Sequence, residues 1–481
     1  MRGKLQRGRP WLTMALCLAL CSCAMGPDYH APAPPPGATG QLPFMPGGAA
    51  PTPVPEAWWK LYQDPALNQL VERAFLANTD LRAAQANLDT ARASLRIARS
   101  ARLPTTMENA GATYGRTPTQ TEIADALHAT APNGWLDTDT FQVAYEVDLF
   151  GRIKRSVEAA RADADAAQAQ RDAVRLMVAS ETIRAYVSAC AIGAQIDVAR
   201  QLIDLSDQQR AIVQKQLDAG GATRFDVARS TTLLAQARAS LPVLDGERRA
   251  ALFALAAMLG ATPDAVPMQA QACRHAPELA QAVPVGDGAA LLRRRPDIRV
   301  AERRLAAASA RIGVAQADLL PRISLLGSVS NASPDVADLG TRAATSFGLG
   351  PFVSWSFPNL GAARGRIAAA RATDRAALAD FDGAIVVALK EVEQSLARYG
   401  AALDRTRELD AASTSAREAY ALAQSRFAAG SISRFEMLSA QQSLVETQAA
   451  LAAAQTQRTD LLVSVFKALG GGWQTDPPQA R

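Results

Sequence analysis

The sequence of 481 residues has few aromatic side chains: Phe, Tyr and Trp make up 5% of it, although hydrophobic residues make up 48%. Its core must therefore use small aliphatic side chains, and alanine, a strong helix former, is the commonest residue. Long β-branched runs and glycine-rich strand-to-helix turns are missing, which argues against an ordinary α/β enzyme. The only histidines, His30, His128 and His275, form no helical pair. We therefore expect no catalytic residue, no metal ligand and no cofactor.

Acidic residues are missing from the first part of the chain. Four basic residues, Arg2, Lys4, Arg7 and Arg9, lie in the first nine positions, and no acid precedes residue 23. They account for most of the formal net charge of +5, so a chain that starts at residue 23 would carry about +1. A nucleic-acid partner is therefore not expected.

The N-terminus has the features of an export signal. Residues 2–9 are basic, and the apolar run over 11–20 is too short to span a bilayer as a helix. It ends in Leu20-Cys21-Ser22-Cys23, which resembles the bacterial lipobox, with small residues before a cysteine that carries a diacylglycerol as a thioether. The pattern predicts that residues 1–22 are removed and that Cys23 is lipidated. The alternative is an ordinary cleaved signal peptide with incidental cysteines.

Two further cysteines, Cys190 and Cys273, remain in the mature chain. In an oxidising compartment, two such residues form a disulfide only if their Cα atoms come within about 7 Å of each other. The sequence leaves two alternatives open, a disulfide or two buried thiols.

The chain contains one long internal duplication. Segments that repeat at an offset of 210 or 217 residues occur in the same order in both halves. The repeated pairs are Asp80–Ala84 with Asp297–Ala301, Val143–Ala162 with Val353–Ala372, Asp218–Gly220 with Ala428–Gly430, and Arg224–Asp226 with Arg434–Glu436. The mature protein is therefore a tandem repeat of a unit of about 210 residues, much longer than the units of solenoid proteins.

Each unit is predicted to contain a helix, two strands, a long helix, a turn and a second long helix. Asp80 is the predicted N-cap of the first helix. Leucine recurs every seventh residue in the first helix, at Leu81, Leu88 and Leu95, which is typical of left-handed coiled coils. Alternating patterns predict strands at 106–115, 140–149, 322–331 and 347–357. Uninterrupted helical patterns cover 152–218, 225–260, 361–428 and 435–468. Pro242 is expected to kink the second of these helices.

Four strands per chain are too few to close a barrel, because about eight strands are the practical minimum. The chain is therefore expected to oligomerise. Two copies would give about eight strands, filled by their own side chains, whereas three copies would give about twelve strands and leave room for a lumen. The length of the strands and their single apolar face are typical of an outer-membrane barrel, and a conducting pore favours three copies.

The start of the mature chain, Cys23-Ala24-Met25-Gly26-Pro27-Asp28-Tyr29, resembles that of lipoproteins in the outer-membrane factor (TolC-like) family. Further motifs extend the resemblance over nearly the whole mature chain: Trp58-Trp59, Asp64–Leu67, the Leu-Pro helix ends, Leu292–Ile298 and Lys467–Trp473. The match is to the NodT-like branch, which serves efflux pumps of the resistance-nodulation-division (RND) type.

This resemblance implies a mainly α fold with a transmembrane β-barrel, formed by a homotrimer that shares about twelve strands in the outer membrane. A tunnel of long helices would extend into the periplasm. The implied function is a passive duct for small molecules such as drugs, with a periplasmic adaptor and an RND inner-membrane pump as partners. The alternatives are an exit duct for type I protein secretion and, in a different class, a lipid-anchored structural coiled-coil protein of the envelope. The predicted divisions are 1–22 (signal peptide), 23–62 (Pro-rich linker after the lipid anchor), 63–284 and 285–473 (the two repeats) and 474–481 (tail).

The resemblance also implies that the two helical-hairpin turns form a periplasmic tip, which closes the tunnel and docks the adaptor. The candidate residues are Gly220, Arg224, Phe225 and Asp226 in the first turn and Gly430, Arg434, Phe435 and Glu436 in the second. Glycine suits the left-handed backbone that such a turn requires. Two interpretations of the other residues stay open. Either the phenylalanines form an apolar constriction and the acids select cations or pair with Arg224 or Arg434, or they staple the turn and favour the helix N-terminus.

Overall fold

In a computed structural model of the chain, the described residues are 24–36, 38, 49–50, 52, 54–279, 283–286, 288–358 and 360–470. The predicted signal peptide, Cys23 and the tail at 474–481 lie outside them. The helices are α1 (Pro65–Ala77), α2 (Thr79–Ser100), α3 (Pro118–Ala126), α4 (Arg152–Asp218), α5 (Arg224–Met258), α6 (Met268–Ala272), α7 (Gly288–Arg294), α8 (Pro296–Ala317), α9 (Leu360–Ala428) and α10 (Arg434–Ala468). The strands are β1 (Ala49–Ala50), β2 (Thr105–Gly115), β3 (Gly134–Val147), β4 (Val283–Pro284), β5 (Arg322–Ser333) and β6 (Thr345–Ser354).

The chain divides into two compact units. The first combines Met1–Pro32, Asp89–Ala166 and Ala301–Asp380, and the second combines Ala33–Leu88, Ala167–Val300 and Phe381–Arg481. Each unit therefore takes residues from both halves of the duplicated sequence. No helix among the described residues has both the length and the apolar character needed to cross a bilayer.

A four-stranded antiparallel sheet lies in the first unit, with the strand order β2-β3-β5-β6. Each repeat contributes one hairpin, and β3 joins the two hairpins by pairing with β5 from Asp137 opposite Ser333 to Val147 opposite Ile323. Within the described chain, β2 and β6 are each paired on one side only. An open strand edge presents unpaired backbone groups, so this sheet is suited to pairing with strands of another copy.

Large apolar side chains on the edge strand β6 face outward. The side chains of Phe347 and Leu349 are 86% and 77% exposed, and glycine or serine lies between and beside them at Ser346, Gly348 and Gly350. This alternation gives the strand one apolar face, as the sequence predicts. Contiguous exposed apolar surface of this kind requires a partner or a lipid environment.

The bounds of the strands differ from the sequence-based prediction. β3 begins at Gly134, well before the predicted start at residue 140, and its first part, Gly134–Ala144, pairs with β2. Asp137 and Asp139 lie in this early part and break the apolar alternation, so the sequence pattern hides it. β6 ends at Ser354 rather than at residue 357.

Asn78, rather than the predicted Asp80, caps helix α2. Its side-chain Oδ1 accepts hydrogen bonds from the backbone N–H groups of Asp80 and Leu81, at 3.0 Å each. Its Nδ2 donates to the carbonyl of Met258 at 3.1 Å, and the residue is 1% exposed. The prediction for Asp80 was wrong, because the contact between Asn78 and Met258 determines which of these two nearby residues caps the start of the helix.

The core of the second unit contains several buried aromatic side chains. Trp58 is fully buried and stacks on Phe466 of α10, with ring centroids 4.4 Å apart. Trp59 meets Phe75 of α1 edge to face at 5.8 Å, and the guanidinium of Arg175 lies 4.3 Å from the centre of the Phe75 ring. Such aromatic pairs add about 0.5–1.5 kcal/mol each beyond the burial of their area.

Helix α5 continues through Pro242, where a kink is expected from the sequence.

Candidate functional site at the helical-hairpin turns

Two turns with the same geometry reverse the long hairpins α4–α5 and α9–α10. Gly220 and Gly430 have positive φ angles, +77° and +70°, and an added Cβ would meet nothing within 4 Å at either position. The next residues close the helix ends, because Gly221 N–H donates to the carbonyl of Gln216 at 2.7 Å and Ser431 N–H to that of Arg426 at 2.9 Å. Backbone conformation, and not crowding, therefore accounts for glycine at these turns.

The acidic residues Asp226 and Glu436 are held in capping boxes at the start of α5 and α10. The Glu436 carboxylate accepts from Ser433 N–H at 2.7 Å and from Ser433 Oγ at 2.8 Å, and Ser433 Oγ accepts from Glu436 N–H at 3.2 Å. Thr223 and Asp226 make the same set of bonds. These hydrogen bonds lower the pKa of both carboxyls.

This geometry supports the interpretation that the acids favour the helix N-terminus. A carboxylate that accepts bonds from its own capping residue stabilises the start of the helix. Thr223 and Ser433 were not among the sequence-predicted site residues. Their signal is present in the sequence, because a Ser or Thr three residues before an acid, ahead of a long helical pattern, is a capping box.

The aromatic residues of the turns are exposed, and one of them joins the two hairpins. The side chains of Phe225 and Phe435 are 66% and 56% exposed, in the first turn of α5 and of α10. The guanidinium of Arg229, on α5, lies 3.9 Å from the centre of the Phe435 ring. A cation–π contact of this kind contributes about 0.5–1 kcal/mol at an exposed site.

The two turns also meet through Arg434. Its guanidinium lies over the ring of Phe427 and donates a long bond of 3.5 Å to the carbonyl of Gly221 in the other turn. Arg224, its counterpart in the first repeat, is exposed. The structure therefore joins the two turns through Arg434 and Phe435, which contact Gly221 and Arg229, and gives the two arginines different surroundings.

Away from the turns, Cys190 and Cys273 form a disulfide, with 4.9 Å between their Cα atoms. Cys190 is fully buried on α4. Arg248 of α5 donates to the carbonyls of Gln271 and Cys273 and so holds the segment after α6 against the long helices. Of the two alternatives that the sequence left open, the structure has the disulfide.

Asp460 on α10 is a partly buried residue that no sequence pattern singles out, and its carboxylate Oδ1 is buried. Its Oδ1 has no hydrogen-bond partner within the described part of the chain. Burial raises the pKa of Asp460 from 3.8 to about 6, against the opposing effect of Arg184. The folded protein therefore binds this proton more tightly than the unfolded chain does. Stability is expected to fall as pH rises from 3.8 to about 6 and to stay reduced above that range.

Replacing Asp460 with asparagine is expected to stabilise the protein at pH 8 by about 1–3 kcal/mol, because each unit of raised pKa corresponds to about 1.4 kcal/mol. At pH 4, where the carboxyl is already neutral, the gain should shrink towards zero. Thermal unfolding of wild type and Asp460→Asn at both pH values tests this. Asp410→Asn, an exposed change on α9, is the control and should shift stability by less than about 0.5 kcal/mol at either pH. A pH-independent difference would contradict the assignment.

Among the described residues, no group of three or more His, Cys, Asp or Glu side chains is placed to hold a metal ion.

The model of the family "Outer membrane efflux protein" matches residues 70–261 and 289–471 of this chain, one match in each repeat. The chain belongs to this family. Its similarity to the outer membrane protein OprJ of Pseudomonas aeruginosa is 32% identity over 471 residues, which covers 96% of this chain and 95% of OprJ.

Other family members show the same extent of similarity. The solvent efflux pump outer membrane protein SrpC of Pseudomonas putida is 32% identical over 476 residues, covering 96% of this chain and 98% of SrpC. The solved structure of the outer-membrane channel OprN has a TM-score of 0.83 at 33% identity and covers 94% of this chain and 100% of its own. The solved structure of CusC, which forms a transmembrane channel, has a TM-score of 0.81 at 26% identity. It covers 94% of this chain and 100% of its own. The resemblance seen in the sequence motifs is confirmed.

Proposed function

We propose that this chain is the outer-membrane duct of a tripartite efflux system and conducts small molecules passively to the exterior. The observation that carries this proposal is the combination, in one chain, of an apolar-faced sheet with two open edges and two long helical hairpins. A structural coiled-coil protein has no use for such a sheet. Relatives named for solvent efflux and for pyoverdine export support small organic molecules as the cargo.

The partners proposed are two further copies of the chain, a periplasmic adaptor and an RND pump of the inner membrane. Three copies give about twelve strands, enough for a barrel with a lumen, and each copy supplies two open edges for pairing. Native mass spectrometry of the detergent-extracted protein should therefore give a trimer. A stable monomer or dimer would count against the shared barrel.

An accumulation assay in the source bacterium tests the function. Deletion of the gene should raise the intracellular level of a fluorescent pump substrate, and the wild-type gene should restore the low level. If export of a protein substrate is lost while dye accumulation is unchanged, the type I secretion alternative holds. If neither changes and the purified protein gives no single-channel conductance in planar bilayers, the structural alternative holds.

We also propose that Cys23 carries the lipid and becomes the first residue of the mature chain. The support is the lipobox-like Leu20–Cys23 sequence after a short apolar run. Mass spectrometry of the membrane-extracted protein should show a diacylglyceryl, N-acylated Cys23. An intact Met1, or cleavage at another bond, would refute this assignment.

The hairpin turns are proposed to close the inner end of the duct, with Phe435 as part of an apolar constriction. Phe435→Ala removes the ring under Arg229 and is expected to raise the single-channel conductance, or the open probability, several-fold in planar bilayers. Glu436→Gln is the matched control, because glutamine retains the capping box, and its conductance should equal that of the wild type. Unchanged conductance in Phe435→Ala, with the trimer intact, would leave this ring a structural role only.

A further inference from the structure

The residues that directly follow Cys23 are docked on the first compact unit and are not part of an extended linker. Met25 N–H donates to the carbonyl of Phe150 at 3.1 Å, in the segment between β3 and α4. The guanidinium of Arg155 donates to the carbonyls of Met25 and Gly26, at 3.0 and 3.2 Å, and to the carboxylate of Asp28 at 2.8 Å. The linker predicted at 23–62 therefore begins with a fixed segment.

Arg155 is buried, so its guanidinium must find its hydrogen-bond acceptors within the protein. The residue is 4% exposed, and its remaining Nη1 donates to Glu158 at 2.8 Å. A buried guanidinium needs its donors satisfied, because removing a charge from water is costly. The side chain of Asp28 is 79% exposed and its ion pair is screened by water. Among the contacts that the segment itself makes with Arg155, the two backbone carbonyls are thus the most important.

Glycines allow the segment to approach backbone to backbone. Gly26 has a φ of +93°, and an added Cβ would lie 2.4 Å from the Cα of Gly313 on α8. At Gly313 an added Cβ would lie 2.6 Å from the carbonyl oxygen of Met25. At Gly151, just before α4, it would lie 2.8 Å from the Cα of Ala24. Gly151 and Gly313 thus leave room for residues 24–26, and Gly26 within the segment allows the same close approach, which indicates a binding site shaped for this segment.

Tyr29 completes the contact at the other end of the segment. It packs on Ala162, Ala306 and Ala307 of helices α4 and α8. Its hydroxyl donates to the carboxylate of Glu302 at 2.8 Å. Burial, and then the bond to Glu302, raises the pKa of Tyr29, so the donor stays protonated at physiological pH. In the Gly26-Pro27-Asp28-Tyr29 motif, Gly26, Asp28 and Tyr29 therefore hold the segment against helices α4 and α8.

We propose that Ala24–Tyr29 is a latch that seats the lipidated Cys23 beside the junction between β3 and α4, with Arg155 as its positioning residue. This inference rests on the proposed lipidation of Cys23. The lipid then enters the membrane at a fixed point of the folded chain, next to the strand that crosses it, and the anchor moves with the sheet. A lipid on a loose linker would leave the two membrane attachments independent.

A spin label at residue 30 tests the latch. His30 is exposed and adjoins Tyr29. Cys190 and Cys273 are joined to each other and Cys23 is acylated in the proposal, so His30→Cys supplies the one free thiol of the mature protein. In the membrane-embedded trimer this label should be immobilised. Gly313→Ala should increase its mobility several-fold, because the new methyl group displaces Met25.

The control for this substitution is Gly365→Ala. Gly365 is also a helical glycine of the first unit, but an added Cβ there meets nothing within 4 Å. The label should stay immobilised in Gly365→Ala. Arg155→Gln should mobilise it, and if that variant does not assemble, the double variant Asp28→Asn with Tyr29→Phe removes bonds from the segment side and leaves the helices unchanged.

Two measurements keep the latch separate from lipidation and from the function of the duct. Mass spectrometry of Cys23 in the same preparations reports lipidation directly, and a missing lipid would refute the lipidation and not the docking. In Cys23→Ala, exported with an ordinary signal peptide, the label should remain immobilised. The latch is overturned if the label is mobile in Cys23→Ala, or if Gly313→Ala and the segment double variant leave its mobility unchanged in intact trimers.

Discussion

Replacing Arg295 with methionine is expected to destabilise the protein by about 2–4 kcal/mol and to reduce the yield of the folded, assembled protein. Arg295 is 7% exposed and precedes α8. Its guanidinium donates to both carboxylate oxygens of Asp297, to Glu391 of α9 at 2.8 Å, and to the carbonyl of Ala468 at the end of α10 at 3.0 Å. One side chain thus joins three helices, and methionine fills its volume without replacing any of these bonds.

The expected loss stays below that of a fully buried ion pair, because the side chains of Asp297 and Glu391 are 45% and 46% exposed and water solvates them when the arginine is removed. Thermal unfolding and native mass spectrometry measure the effect. Arg293→Met in the same basic run is the control, because Arg293 is exposed, and it should change stability by less than about 0.5 kcal/mol. Equal effects of the two substitutions would refute the role of Arg295.

Removal of the disulfide is expected to cost about 2–5 kcal/mol of stability. The bond between Cys190 and Cys273 closes a loop with a sequence separation of 83 residues, and a long loop loses much chain entropy when it is cross-linked in the unfolded state. The double variant Cys190→Ala with Cys273→Ala avoids burying a free thiol or hydroxyl at the fully buried position 190. Its melting temperature should lie well below that of the oxidised wild type.

A reducing agent provides the internal control. Dithiothreitol should lower the melting temperature of the wild type towards that of the double alanine variant and leave the variant itself unchanged. If the oxidised wild type and the variant melt at the same temperature, the cross-link adds nothing to stability. Arg248 would then hold the segment after α6 alone, through its bonds to Gln271 and Cys273.

Local patterns in the sequence were enough to predict the long helices and the hairpin turns. The helical pattern at 152–218 has the same bounds as α4, since small and apolar residues recur at helical spacing and Gly220 interrupts them. The turn glycines were predicted from their duplication and have the expected positive φ. Helix α3 was not predicted, because it is short and polar, although Thr117 and Gln120 form a capping box that marks its start.

Contacts between distant segments were beyond the reach of the sequence. Nothing in the basic run 293–295 separates the exposed Arg293 from the buried Arg295, which has acceptors on α9 and α10. Asp460 and Arg229 were missed for the same reason, because their surroundings come from other helices. Residues 24–29 were recognised as a family motif, but a pattern of letters does not show that Gly26 meets Gly313.

The strand order of the sheet has a genetic consequence. Each copy offers β2 as one edge and β6 as the other, and these edges come from different repeats with different sequences. Association through two unlike edges is directional, and a ring closes only when the last β6 reaches the first β2. A chain in which a substitution prevents pairing at one edge strand still pairs with a neighbour through its other edge strand, and the ring then cannot close. In a cell that produces both normal and mutant chains, the mutant allele would therefore be dominant, because normal chains that pair with a mutant chain are inactivated.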